Sequence, residues 1–393
     1  MKKRNEDIMN LAMPDESLSE NKSTPVHTVW KRHMAIVSIF LLASTGWSQL
    51  ARGAPQQDLL FFLSAEGYEN LSSSVAGIED SFLRPSADIL YTTNSDKFRF
   101  LGEYFLSSKE SELERLQAGW QVGDEAMVWL GRFHNIANFW STEFHHGQFM
   151  QTSISRPGLA KWEDDGGPTV SHITGLLLEY EYTRSDESAL AFEFAAGLGP
   201  KLISQEMQPF DLLNPQSGHD LSLSYRMAYR PDVLSTSQIG LAMGWNEIQV
   251  ESASNPNLAN LRNIQQLTIS LFADWRWANY RLITDWTYFN NQLRPVNSAV
   301  TDEFVLGYLQ VEYQASRDWT LFGRGETGFG EDNSPFLSLL PPYAVDRYML
   351  GVRWDLADTH SLALEIADVS TQGSNSTRNN FKELRVQWST VIQ

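Results

Sequence analysis

From about Asp58 onward, apolar and polar side chains alternate with a period of two, segment after segment. In RYMLGVRWDLADTHSLALEIADVS (Arg347 to Ser370), Tyr348, Leu350, Val352, Trp354 and Leu356 take every second place. After the break ADTHS the alternation resumes with Leu362, Leu364 and Ile366, while Arg347, Arg353, Asp355 and Glu365 occupy the other face. Successive side chains of a strand point to opposite sides, so each ribbon is greasy on one side and ionisable on the other. The pattern recurs in FRFLGEYFL (Phe98 to Leu106), ALAFEFAAGL (Ala189 to Leu198), LSLSYRMAY (Leu221 to Tyr229), IGLAMGW (Ile239 to Trp245) and LTISLFADWRW (Leu267 to Trp277). Weaker segments bring the expected total to about sixteen strands, an even number within the range of membrane barrels. Such ribbons suit a soluble β-sandwich with water on the polar side, or a closed barrel with lipid outside and water inside.

The links between strands discriminate. Short turns fall at NSDK, VGDEA, RSDES, RPDVLSTS, WAN, ASRD and ADTH. Between them lie longer links: Asn70 to Pro85, His134 to Ser171, Gly199 to Asp220, Val250 to Asn263, Asn290 to Thr301, Gly328 to Asp346 and Val369 to Asn380. SSKES is the one short member of the long set. A barrel sorts its links this way, with tight turns at one rim and surface loops at the other, whereas a sandwich has no reason to. The expected fold is therefore all-β: a transmembrane up-and-down antiparallel barrel of about sixteen strands.

The faces agree. Expected outward positions include Leu221, Leu223, Tyr225, Met227, Tyr229, Leu267, Ile269, Leu271, Leu350, Val352, Val386 and Trp388. Expected inward positions include Ser222, Ser224, Arg226, Ala228, Arg230, Asp274, Arg276, Arg353, Asp355 and Arg385. The chain has 13 Trp and 13 Tyr, and Trp120, Trp245, Trp275, Trp277, Trp319, Trp354 and Trp388 lie near strand ends. An aromatic girdle at the lipid–water boundary places them there.

Composition closes off other classes. With 42% apolar residues and a mean hydropathy of −0.32, this is no bundle of membrane helices. There is no Cys, and a closed hydrogen-bonded sheet needs no disulfides. The net charge of −18 offers no basic stripe for nucleic acid. Lys31, Arg32 and His33 precede the apolar run Met34 to Ala43, the basic and apolar parts of a secretory signal, and too short to span a membrane. The expected division is residues 1–54 as N-terminal extension and signal, cleaved between Gly46 and Ala54, and residues 55–393 as the barrel.

Over most of residues 58–393 this arrangement resembles the Gram-negative outer-membrane porin superfamily, general or solute-selective. The longest link follows the fifth strand, where the general porins carry a loop that folds inward and narrows the pore. Within it WEDDGGP (Trp162 to Pro168) resembles the Pro-Glu-Phe-Gly-Gly-Asp tip of that loop; Asp165, Gly166 and Gly167 correspond, and the Pro-Glu-Phe part has no counterpart. GRFHNIANFW resembles a strand end of solute-selective porins, and the chain ends in Gln393 where the superfamily typically has Phe. The resemblance implies a cell outer-membrane location among lipid and lipopolysaccharide. It also implies passive diffusion of small hydrophilic solutes or ions, and assembly as a homotrimer.

Four of the eight His fall in or beside the long link: His134, His145, His146 and His172. A constriction would set the loop acids Glu143, Glu163, Asp164 and Asp165 against the wall bases Arg226, Arg230, Arg276, Arg281, Arg324, Arg353 and Arg385. Rings of charge would set which ions pass, and opposed signs across a narrow gap would make a transverse field that orients dipolar solutes. The plainer alternative is a packed loop whose His and Trp bond to the wall, with the arginines paired to neighbours such as Glu326 and Asp355. A metal site on His134, His145 or His146 has no strong zinc spacing behind it, so neither metal nor cofactor is expected. Ser171-His172, Ser153 and Ser155 carry no hydrolase signature, so an enzyme is not expected. The barrel of a polysaccharide or solute export system is the remaining alternative.

Overall fold

The computed structural model describes residues 56–393, apart from 73–77, 145–147, 164, 254–259, 296–298 and 373–377. The expected extension and signal lie outside the described residues. The strands are β1 (Gln56–Asn70), β2 (Ser81–Asn94), β3 (Phe98–Ser107), β4 (Ser111–Gln121), β5 (Ala126–His134), β6 (His172–Thr183), β7 (Ala189–Leu198), β8 (Lys201–Ser204) and β9 (Glu206–Gln208). They continue as β10 (Leu221–Arg230), β11 (Gln238–Ala253), β12 (Leu261–Trp277), β13 (Tyr280–Pro295), β14 (Val300–Gln314), β15 (Trp319–Phe329), β16 (Tyr343–Ala357), β17 (His360–Gln372) and β18 (Arg378–Ile392). One short helix, α1 (Phe139–Phe144), lies in the link after β5.

Sixteen of these strands form a closed antiparallel barrel. Each pairs with its neighbour in chain order, β7 pairs with β10, and β1 closes the ring on β18 with Phe61 opposite Ile392. The strands β8 and β9 form a small hairpin in the link after β7, and β8 lies parallel to the outer end of β11. Closure of the ring by β1 and β18 gives each barrel strand a neighbour on both sides, so the sheet needs no second layer.

The period of two is now a division between media. Leu362, Leu364 and Ile366 are exposed on the outer wall, while Ser361, Ala363, Glu365 and Ala367 between them are buried on the inner one. Leu350 is 68% exposed and Leu271 62%. So much outward apolar area around a whole ring requires an apolar surrounding. Toward the short-turn rim the belt ends in aromatics: Trp319 stacks on Trp354 at 5.1 Å, Trp277 on Tyr280 at 5.7 Å, and Tyr280 meets Tyr313 at 5.0 Å.

The strands run further toward the long-link rim than their alternation indicates. The link expected from Val250 to Asn263 shrinks to 254–260, and that from Asn290 to Thr301 shrinks to 296–299. These outer ends, such as NEIQVESA and NNQLRP, have passed the apolar belt, so the ladder continues with no greasy face to announce it. Pro85, expected in a link, lies inside β2 opposite Ala65. The β2–β3 ladder stops at Ser86 opposite Ser107, so Pro85 has an open edge on that side where a missing N–H is tolerated.

The inner wall is not uniformly polar. Phe272, Ile283, Phe289, Phe304, Leu306 and Tyr308 of β12–β14 point inward and are buried there. They belong to a single apolar cluster with Phe139, Trp140 and Phe144 of α1 and with Phe336, Leu339 and Leu340 of the link between β15 and β16. Among the described residues three links therefore pack into this cluster, since Leu202 of β8 and Met207 of β9 also belong to it, whereas the sequence points to the longest alone.

Candidate functional site

The long link, residues 135–171, lies against the inner wall through three consecutive anchors. The first is apolar. Asn138 accepts the Ser141 N–H at 3.2 Å and so caps the start of α1. Phe139 then stacks on Phe272 at 4.7 Å, and Trp140, with no exposure, meets Phe144 at 4.4 Å and Tyr308 at 5.7 Å. Arg226 of β10 lies over the Phe272 ring and donates to Thr142 at 3.1 Å and Glu143 at 2.8 Å. Burial pushes the Glu143 carboxyl upward, but Arg226, Gln238 and Arg230 outweigh it and hold the group below its ordinary range.

The second anchor is polar. Arg324 of β15 donates to Ser153 at 3.1 Å, to the Ser155 carbonyl at 3.0 Å and to its own-strand neighbour Glu326 at 2.8 Å. Glu365 of β17 accepts the Ile154 N–H at 3.0 Å and the Ser155 N–H at 3.2 Å, while the Ser155 hydroxyl also donates to it. Glu326 accepts the Gly158 N–H at 2.6 Å. Arg353 and Arg347 donate to the carbonyls of Phe149 and Arg156 at 2.7 and 3.0 Å. Inward charges of the wall thus satisfy the backbone of a loop that has no ladder of its own.

The third anchor is the return. Glu163 is fully buried and accepts the backbone N–H groups of Ser171 and His172. The tight turn that brings it there uses Gly166 at φ +86° and Gly167, where a Cβ would lie 1.9 Å from the Lys161 carbonyl oxygen. This explains the glycine pair of WEDDGGP in the molecule's own terms.

Between the loop and the wall of β1–β3 and β16–β18 remains a cavity of about 390 Å³. Arg84, Arg347 and Arg385 line it from the wall, and Arg156, Lys161 and Asp165 from the loop. Glu66 and Glu383 are also on its wall, and Arg385 donates to them at 2.6 and 3.1 Å. Tyr68, Phe82 and Trp162 add aromatic faces, with the Arg156 guanidinium 3.6 Å above Trp162.

The anticipated charges are therefore distributed over several jobs. Of the loop acids, Asp165 lines the cavity, Glu143 is paired to Arg226, Glu163 is sealed in the loop's return, and Asp164 lies outside the described residues. Of the wall bases, Arg385 lines the cavity, while Arg226, Arg324 and Arg353 hold the loop. Arg281 pairs with Asp274 at 2.6 Å and Arg230 with Glu181 at 2.9 Å, and Arg276 is exposed near the end of β12. Sequence reasoning passed over Arg84, Arg156, Lys161 and Arg347 as cavity residues. For Arg347 the signal was present, because it shares its face of β16 with Arg353.

His145 and His146 lie outside the described residues. His134 and His172 are brought together instead, directly opposite one another across β5 and β6, with Glu114 of β4 beside both. The Ser171 and Ser153 side chains sit in buried hydrogen bonds with Asn138 and Arg324 respectively.

No protein-family model matches the chain, and no curated protein does. Solved structures do resemble it. An anion-selective porin from Comamonas acidovorans superposes with a TM-score of 0.58 at 10% identity, over 86% of this chain and 100% of the porin. The outer-membrane channel DcaP of Acinetobacter baumannii gives 0.54 at 9% identity, over 86% and 97%. Salmonella typhi OmpF gives 0.53 at 10% identity, over 86% and 97%. At these identities the likeness is one of fold, and the fold is that of a porin-like β-barrel.

Proposed function

We propose that the chain is an outer-membrane channel through which small hydrophilic solutes or ions diffuse. The observation that carries this is the combination of a closed sixteen-strand barrel, apolar outside, with a charged cavity left beside its inward-folded loop. The solute path follows the β1–β3 and β16–β18 wall, because the opposite side is filled by the apolar anchor around Trp140. Asp165, Lys161 and Arg156 on the loop face Arg84, Arg347 and Arg385 on the wall, and Glu66, Glu79, Glu110 and Glu383 offset these bases, so selectivity arises from a near-balanced set of charges at close range. This narrows the constriction: Asp165 remains in it, and Glu143 and Glu163 serve to hold the loop.

A hydrolase is disfavoured on geometry. His172 and Ser171 are buried at the root of the loop, 3% and 0% exposed, and a nucleophile needs access to its substrate. The solved structures that the chain resembles include a porin and a channel by title, which supports the transport reading. Association into a homotrimer, as in the superfamily it resembles, belongs to the same proposal. It is tested by the mass of the detergent-solubilised protein from light scattering. The channel reading itself is tested in proteoliposomes by osmotic swelling with neutral sugars of increasing size. Swelling that falls off with solute size supports it; swelling equal to that of empty vesicles for every sugar removes it.

A further inference from the structure

We infer that Glu114, His134 and His172 form a binding site for a single divalent transition-metal ion, zinc or one of similar preference. The ion would clasp both ends of the long loop to the neighbouring strand. The antiparallel register places His134, the last residue of β5, opposite His172, the first of β6. The β4–β5 ladder ends with Leu116 opposite Arg132, and Glu114, two residues beyond at a bulge in β4, brings its carboxylate beside both histidines. Three consecutive strands thus each contribute one donor to a single buried cluster.

The donor atoms all lie within 4.8 Å of one another. His172 Nε2 is 2.9 Å and His134 Nε2 3.8 Å from the same Glu114 oxygen. Bond lengths of about 2.0–2.2 Å to a tetrahedral zinc place its ligands about 3.4 Å apart, a spacing that the 2.9 Å and 3.8 Å separations bracket. Two imidazoles and one carboxylate favour zinc-like ions over calcium or magnesium, which take oxygen ligands.

A second, independent observation points the same way. The other ring nitrogen of His172, Nδ1, lies 3.2 Å from Glu163. A carboxylate behind a ligating histidine fixes its tautomer, leaving the Nε2 lone pair free to bind metal. Glu114 and Glu163 are both buried, at 1% and 0% exposure, and Arg132, paired with Glu112, also donates to the Glu114 carbonyl at 3.1 Å. With both histidines neutral, a divalent ion adds positive charge beside the two carboxylates. Trp162 closes the site, its ring 5.1 Å from that of His172 and 5.3 Å from that of His134.

The competing account is a metal-free His172 imidazolium held between Glu114 and Glu163. The two are separated with the tag-free, full-length chain in detergent, stripped with chelator and titrated with Zn²⁺ or, as a spectroscopic probe, Co²⁺. Expected are retention of one metal per chain after gel filtration, tetrahedral d–d bands from Co²⁺, and an X-ray absorption shell of light donors containing two imidazoles. His134→Gln should abolish retention, and Glu163→Gln should weaken affinity by about 10–100-fold as loss of an outer-shell partner does. The double variant His145→Ala/His146→Ala should bind as the parent does. No retained metal in the parent overturns the inference. So does binding that survives His134→Gln, or binding lost in the double variant. Should His134→Gln fail to fold, the parent's absorption spectrum decides alone, and a shell with fewer than two imidazoles overturns the site.

Discussion

Trp140→Ala attacks the apolar anchor that fixes which side of the barrel is filled. The side chain has no solvent exposure and is gripped by Phe144, Tyr308 and, 5.7 Å from its ring, the Arg324 guanidinium. Deleting a buried Trp costs about 3–5 kcal/mol, counting both lost transfer energy and the cavity left behind. The barrel ladder does not pass through α1, so this cost falls on docking of the loop and not on closure of the sheet. At about 1.4 kcal/mol per decade, a loss near 4 kcal/mol lowers the docked-to-undocked ratio roughly a thousandfold. Hydrogen exchange read by mass spectrometry over peptides spanning 138–144 measures it directly. Protection there should collapse toward the loop's intrinsic rate while peptides from β13 and β14 stay protected. Trp120→Ala, at the exposed rim, is the control. Unchanged protection of 138–144, or equal loss in both variants, would refute the claim that this loop is held by its apolar contact.

Other consequences follow from the same structure. Because Glu143 titrates below its ordinary range in the folded state, its contribution to docking is full above the unfolded value of about 4.3 and fades as pH falls through the lower folded value. The near-ultraviolet dichroism of the α1 aromatics should therefore weaken in acid, and Glu143→Gln should remove that pH dependence. Leu350→Arg places a charge on the outer belt and should cost about 2–4 kcal/mol in reversible unfolding from lipid if it lies near mid-membrane; a neutral outcome would say that lipid does not cover β16. Arg385→Gln removes a cavity cation and should shift the reversal potential toward cation preference, and Asp165→Asn should shift it the other way. Identical reversal potentials in both would take the cavity out of the solute path.

What was legible in the sequence was whatever depends on neighbours along a strand. Leu350 outward and Glu365 inward follow from parity alone, and strand order follows from the alternation of short and long links. What was hidden depends on contacts across the barrel. In LTISLFADWRW the outward set Leu267, Ile269 and Leu271 was plain. The inward Phe272 beside Ser270 gave no sign that a loop residue, Phe139, would stack on it. Glu163 read as a pore acid because it stands among acids, yet its carboxylate is consumed by the backbone of Ser171 and His172. The pairing of His172 with Glu114, 58 positions earlier, has no local signal at all. Another inward link, carrying Phe336 and Leu339, looked like an ordinary surface loop because short apolar runs in links have no period to read.

Planar-bilayer recording of the refolded, tag-free chain tests the account at its centre. Discrete, ohmic conductance steps are predicted, larger and noisier in Trp140→Ala as the loop leaves the wall. A bilayer that stays silent with correctly folded, heat-modifiable protein, or steps indifferent to Trp140→Ala, would contradict a water path running beside a docked loop.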